Sequence, residues 1–224
     1  MLYALRQPGI LLGLALGFAV SMLALSAATR LLNRKTRYPR PFWDPQSWLD
    51  PYGVVAALLG GTGWAPKPEA RRGFGRTQHR QLWLITLVSV LVPGIVGAVA
   101  IAGYAALIGH GALAIMQSYS VLHGDDFAKF IAPTIGEKIL LGIGIESLTI
   151  AVLALFPIPP LPMGVAAWTV FPRTPGARQL AYRLLEEYWG IVVLLVLFVI
   201  PFSNQGPLLL FADTSIVDSI LHAI

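Results

Sequence analysis

Long apolar runs separated by short basic or proline-rich connections set the pattern of this chain. Residues 7–29 carry no charged side chain. At about 1.5 Å of rise per residue such a run crosses a hydrocarbon core once. Arg30, Arg34, Lys35, Arg37 and Arg40 follow at once. Residues 53–66 are apolar but too short to span, which predicts a re-entrant or interfacial segment. A second run covers 81–109 with Pro93 inside it, where a kink is expected. After a polar–apolar connection over 110–136, read as an amphipathic surface helix, a third run covers 139–156 and a fourth 188–203. The connections 30–52, 67–80 and 172–187 read as polar loops, and 204–224 as a short, weakly amphipathic ending. The pattern predicts an all-α polytopic membrane protein, a single membrane domain over 1–224, with about four transmembrane helices plus short re-entrant or interfacial segments.

Composition strengthens this reading. The chain is 56% hydrophobic and 12% charged, half the charge of an ordinary soluble domain, with a mean hydropathy of +0.69. The net charge of +5 is concentrated between Arg30 and Arg80 and at Arg173, Arg178 and Arg183. Basic residues beside apolar spans mark the cytoplasmic side, so the three basic loops are expected in the cytoplasm and both termini outside. The partners this charge implies are anionic membrane lipids. No nucleic-acid module is visible, so no nucleic-acid partner is expected. There is no cysteine, which excludes a disulfide-linked partner, a thiolate metal ligand and a cysteine nucleophile. The first run is too long for a cleavable signal peptide, and no small-x-small site follows it before the basic cluster. Trp43, Trp48, Trp64, Trp83, Trp168 and Trp189 fall mostly near span ends, as an interfacial belt would.

Two features inside the runs carry candidate chemistry or contacts. Gly9, Gly13, Gly17 and Ser21 recur every fourth residue and Leu25 continues the row, giving the first helix a face of small residues that another helix can approach closely. Glu146 lies within the third run, and an ionisable residue at membrane depth demands a partner. The pairing to test is with Ser21 or Ser26 on the small-residue face, beside the plainer reading that Glu146 sits near a helix end or bonds Ser147, Thr149 or a neighbouring helix. His79, His110, His123 and His222 form no pair at metal-ligand spacing. His123 near Asp125 and Asp126 reads as a solvated loop.

The third run ends in Phe156-Pro157-Ile158-Pro159-Pro160-Leu161-Pro162-Met163-Gly164. This stretch resembles the N-x-x-P-x-P-P-L-D-G motif of the site-2 protease family of intramembrane zinc metalloproteases. Upstream, Thr29-Arg30-Leu31-Leu32, Trp43-Asp44-Pro45, Leu49-Asp50-Pro51-Tyr52-Gly53 and Gly63-Trp64-Ala65-Pro66-Lys67-Pro68 resemble further pieces of that pattern in the same order. The resemblance covers nearly the whole chain and implies a site-2-protease-like core. In that family an H-E-x-x-H helix supplies two ligands and the base that polarises water, and a distant Asp completes the zinc site. Anchored on Arg30-Leu31-Leu32, those positions fall on Ser21, Met22 and Leu25, and the Asp position falls on Pro162. No His, Asp or Glu stands between Gln7 and Thr29, and the family's second signature is weakened to Val92-Pro93-Gly94-Ile95-Val96.

The resemblance therefore implies a catalytically inactive member with no catalytic residue, metal or cofactor. The function expected is a pseudoprotease acting as a binding, scaffold or accessory subunit in a membrane complex, with another membrane protein or transmembrane segment as partner. That segment would dock in a cleft with Gly13, Gly17, Ser21, Glu146, Pro157, Pro159 and Pro160 as candidate contacts. Two alternatives stand beside it. One is an intramembrane metalloprotease with a non-standard site built on Glu146. The other is a small transporter or lipid-handling subunit. The family analogy and the Ala, Gly and Pro usage point to a bacterial plasma membrane.

Overall fold

The computed structural model describes residues 8–32, 48–66, 76–109, 111–123, 134–170, 174–187, 189–199 and 208–223. Asp44-Pro45, Asp125, Asp126, His110, most of 30–52 and 67–80, and the end of the fourth apolar run lie outside the described residues. Among the described residues the regular structure is entirely helical. The helices are α1 Pro8–Leu32, α2 Pro51–Gly60, α3 Arg76–Ile108, α4 Gly111–His123, α5 Ile135–Leu153, α6 Pro162–Val170, α7 Pro175–Glu186, α8 Trp189–Val199 and α9 Leu208–Ala223.

Two helices are long and apolar enough to cross a membrane, Pro8–Arg30 in α1 and Arg80–Ile108 in α3. They coincide with the first two predicted spans. The third predicted span falls on one helix packed inside the bundle. It is α5, which starts earlier than expected because Thr134 and Glu137 close a capping box at its N-terminus. From Leu141 onward nearly all of α5 is buried, so it is a central core helix. The fourth predicted span falls on α8, described over Trp189–Val199, and residues 188 and 200–203 lie outside the described residues.

Helix α5 lies between α1 and α3, its two largest partners, and also touches α4 and α9. The seam with α1 is the small-residue face read from the sequence. A Cβ on Gly13 would stand 2.5 Å from Ile139 O, and one on Gly142 would stand 2.9 Å from Gly13 Cα. The two backbones therefore touch, an approach that only glycine permits. The row beside it, Ile10, Leu14, Phe18 and Met22, enters the main core with Leu141, Ile145 and Leu148 of α5 and Ile101 and Tyr104 of α3. The opposite face of α1 exposes Leu12, Leu16 and Val20, and α3 exposes Leu87, Leu91, Ile95 and Val99.

The segment 53–66, expected to be re-entrant or interfacial, consists of most of α2 and a non-helical return over 61–66. Asp50 starts α2 as an N-cap: its side chain accepts from the backbone N–H of Tyr52 at 2.9 Å, with Pro51 in the first turn. Gly61 ends it at φ 100°, a left-handed residue that glycine adopts without steric cost. Asp50→Ala is expected to lower stability by about 1 kcal/mol, seen as a reduced thermal unfolding midpoint in detergent. Asp50→Asn, which keeps the cap, should recover most of it.

Two connections are more ordered than their composition predicted. The 110–136 connection contains α4, which is not a surface helix throughout: Ala114, Gln117, Ser118 and Val121 are buried, and Tyr104 of α3 donates to Gln117 Oε1. The polar loop expected over 172–187 is mostly helix α7, capped by Thr174 with Pro175 in its first turn and packed on α6 and α8.

Candidate functional site

The proline stretch between α5 and α6 shows how an irregular backbone is kept among packed helices. Prolines remove donors and leave carbonyls unpaired, and buried polar backbone must be satisfied locally. Here Ile158 N donates to Phe156 O at 2.8 Å, Leu161 N to Ile158 O at 2.9 Å and Met163 N to Ala154 O at 3.2 Å. Side chains add two further bonds. Trp168 Nε1 donates to Pro157 O at 3.2 Å, and Thr86 of α3 reaches Pro162 O, also at 3.2 Å. Pro159 and Pro160, joined by a cis bond, are buried, and Pro157 is exposed.

Around this stretch a void of about 10 Å³ is lined by Leu25 of α1, Gly63, Trp64 and Ala65 of the return, Ser89 of α3, Ile150, Leu153 and Ala154 from the end of α5, and Leu161 and Pro162. Room of this size holds at most about one water. Leu25 and Pro162 thus share one lining, although they are distant in sequence. Met22, one turn before Leu25, is 1% exposed in the main core. This lining holds no His, Cys, Asp or Glu side chain, and among the described residues no group of three or more such side chains could hold a metal.

A second cluster lies deeper along α1 and α5. Ser21 Oγ donates to Ser147 Oγ at 2.9 Å across the seam, in place of the expected pairing with Glu146. Ser26 does not reach Glu146 either; it accepts from Arg30 Nε at 3.3 Å. Glu146 lies beside Gly17, whose imagined Cβ would stand 3.0 Å from the Glu146 Cβ. Its carboxyl is 1% exposed as a residue, and Oε1 has no hydrogen-bond partner among the described residues. Thr62 of the return and Asp213 of α9 lie near enough to this carboxyl to act on it. Asp213 is itself 1% exposed with both oxygens unpartnered among the described residues. Burial holds its carboxyl well above the ordinary carboxylate range.

The expected site residues therefore separate into two sets. Gly13, Gly17 and Ser21 are covered by α5, so the face expected to line an open cleft is a closed interface. Leu25 and Pro162 line the small void, and Pro159 and Pro160 are buried in the stretch before it. Asp213 and Thr62 were missed from the sequence. An acidic residue in an apolar ending is a signal for the first; nothing local marks the second. No family model, curated protein or solved structure matches this chain.

Proposed function

We propose that this chain is a degenerate site-2-protease-like membrane protein that has lost zinc proteolysis and acts as a binding or accessory subunit in a membrane complex. The observation that carries this reading is the meeting of Leu25 and Pro162 at one void. The family pattern assigns a zinc ligand to each of these positions, and here both side chains are unable to bind zinc. Ser21 is tied to Ser147 and Met22 is packed in the core, so neither ligates metal nor activates water.

On this reading the chain is polytopic, with four spans in a bacterial plasma membrane, the basic connections in the cytoplasm and both termini outside. The ending of α1 at its Arg30 side and the start of α3 beside Arg80 support a shared basic face. The former cleft is filled to the size of one water, so a partner transmembrane segment meets the outer faces of α1 and α3, where Leu12, Leu16, Leu91 and Ile95 are exposed. Lipid occupies the remainder of those faces.

Metal content tests the first part. Protein purified in mild detergent and washed with EDTA is expected to hold no zinc by elemental analysis; one retained zinc per chain would refute loss of the site. A photo-crosslinking residue tests the second part. Placed at Ile95 it is expected to capture a membrane partner, and placed at Met22 it is expected to capture none. The reverse result would return the partner to the cleft.

A further inference from the structure

Helix α7 is amphipathic and held at a fixed place on the bundle. Ala177, Ala181, Leu184 and Leu185 form its buried or half-buried row, and Leu185 packs on Leu82 of α3 and on Val165 and Ala166 of α6. The start of α8 clamps its far end: a Cβ on Gly190 would stand 2.6 Å from Leu184 O and 2.6 Å from Pro159 O. Leu82 is two residues past Arg80, where the apolar span of α3 begins. Helix α7 therefore lies at the level of a span end, and that end is basic, with Arg80 itself exposed.

The outer side of α7 is not simply polar. Leu180 and Tyr182 are 46% and 59% exposed, and Trp189, which follows at the start of α8, is 56% exposed. At about 3.6 residues per turn, Leu180 and Tyr182 stand on opposite flanks of the inward row. Arg178 is one turn before Tyr182, Arg183 lies on the face turned away from the bundle, and both are exposed. Glu186 and Glu187 stand at the last turn, so the first two turns carry Arg178 and no acid. A helix surrounded by water has no use for apolar and aromatic side chains along both flanks of its packed row. A helix lying in the headgroup layer has: rings and leucine enter the acyl boundary, and arginines stay among the phosphates.

We propose that α7 is an interfacial helix that binds anionic phospholipid, with Arg80, Arg178 and Arg183 facing lipid phosphates and Leu180, Tyr182 and Trp189 entering the acyl boundary. This assignment rests on the membrane reading proposed above and adds which helix meets which lipid class. The planar fork of arginine matches a phosphate with two parallel hydrogen bonds, and a lipid surface of negative charge attracts each such residue beside it. The clamp at Gly190 ties the lipid contact to the proline stretch through Pro159.

The chain has no cysteine, so one introduced cysteine carries one dye. The full chain is labelled as Tyr182→Cys, or as Val99→Cys on the exposed face in the middle of the α3 span. It is reconstituted into phosphatidylcholine vesicles containing phosphatidylglycerol, with bromine on the acyl chains of one lipid or the other, so that the dye is quenched by the lipid it touches. At Val99 the two brominated lipids are expected to quench alike. At Tyr182 brominated phosphatidylglycerol is expected to quench in clear preference, and the preference is expected to fall about fivefold in Arg178→Gln and to be largely kept in Arg178→Lys. These positions are exposed, so the variants are expected to fold. Quenching at Val99 with none at Tyr182 overturns the assignment and leaves the membrane reading standing, whereas quenching at neither removes both. Equal quenching of the Tyr182 label by the two lipids, unchanged in Arg178→Gln, overturns the choice of anionic lipid.

Discussion

Replacing Gly164 with alanine is expected to remove most of the folded protein, seen as loss of the monodisperse species in detergent and a large fall in the unfolding midpoint of whatever remains. Gly164 sits in the first turn of α6, directly under the proline stretch. A Cβ there would overlap the carbonyl of Ile158 and the nitrogen of Pro159. Both are backbone atoms of a segment held by Met163 N to Ala154 O on one side and Thr86 to Pro162 O on the other. Neither side can yield by a rotamer change, so the overlap must be relieved by separating α6 from the end of α5. Forced overpacking typically costs about 1–3 kcal/mol where side chains can adjust, and this site is expected at roughly 3 kcal/mol or above. Gly176→Ala is the matched control. Nothing lies within 4 Å of a Cβ at that position, and alanine is the better helix former by about 0.5–1 kcal/mol. A neutral or raised midpoint is expected there. Equal loss in both variants would show that the proline stretch is not held as described.

Trp64→Ala is expected to destabilise the protein by about 3–5 kcal/mol, the usual range for deleting a large buried aromatic side chain. Trp64 is 2% exposed and its ring stands 5.8 Å from that of Phe198. It groups with Ala56 of α2, Leu153 and Leu161 around the proline stretch, and Leu194 and Phe198 of α8. One side chain therefore holds the return after α2 against α8 and the end of α5. Deletion would also enlarge the void that Trp64 lines, adding a cavity cost to the lost contacts. Trp64→Phe separates packing from polarity. The indole N–H is buried with no partner among the described residues, so exchanging it for a phenyl ring removes an orphaned donor while retaining most of the contact. A cost well below that of alanine, about 1.5 kcal/mol or less, is expected. If Phe proves as damaging as Ala, the N–H has a partner and the site must be redrawn around it.

The sequence reveals the features that repeat at short range. The Gly9-Gly13-Gly17-Ser21 row is visible because a helix brings every fourth residue to one face, and that face is the α1–α5 seam. The proline stretch is legible as a wedge because proline restricts its own backbone wherever it stands. Other elements are hidden for specific reasons. Helix α7 reads as a loop from its charge and its Pro-Gly start, although Thr174-Pro175 is a capping signal and Ala177, Ala181, Leu184 and Leu185 form the inward row. The central position of α5 is not local information, since its apolarity would be the same in contact with lipid. Gly142 and Gly144 point instead to opposite neighbours, Gly13 of α1 and Ile101 of α3. The carboxyl cluster is the least legible part. Asp213 reads as the polar side of a weakly amphipathic ending until α9 is placed on α5, and Thr62 belongs to a return with no periodicity at all.

The enclosure of α5 also bears on how the chain reaches its final arrangement. A helix carrying Glu137, Lys138 and Glu146, and touched by α1, α3, α4 and α9, has its own protein as solvent. Its contacts with α1 and α3 involve elements synthesised before it, while the α9 contact comes last. The expected order of biogenesis is therefore a waiting α1–α3 pair that receives α5 laterally, followed by closure with α9. Chains truncated before α9 should retain α5 in place yet leave Glu146 open to a water-soluble carboxyl reagent, whereas the complete chain should protect it. The glycine seam thus serves as a receptor for a later part of the same polypeptide.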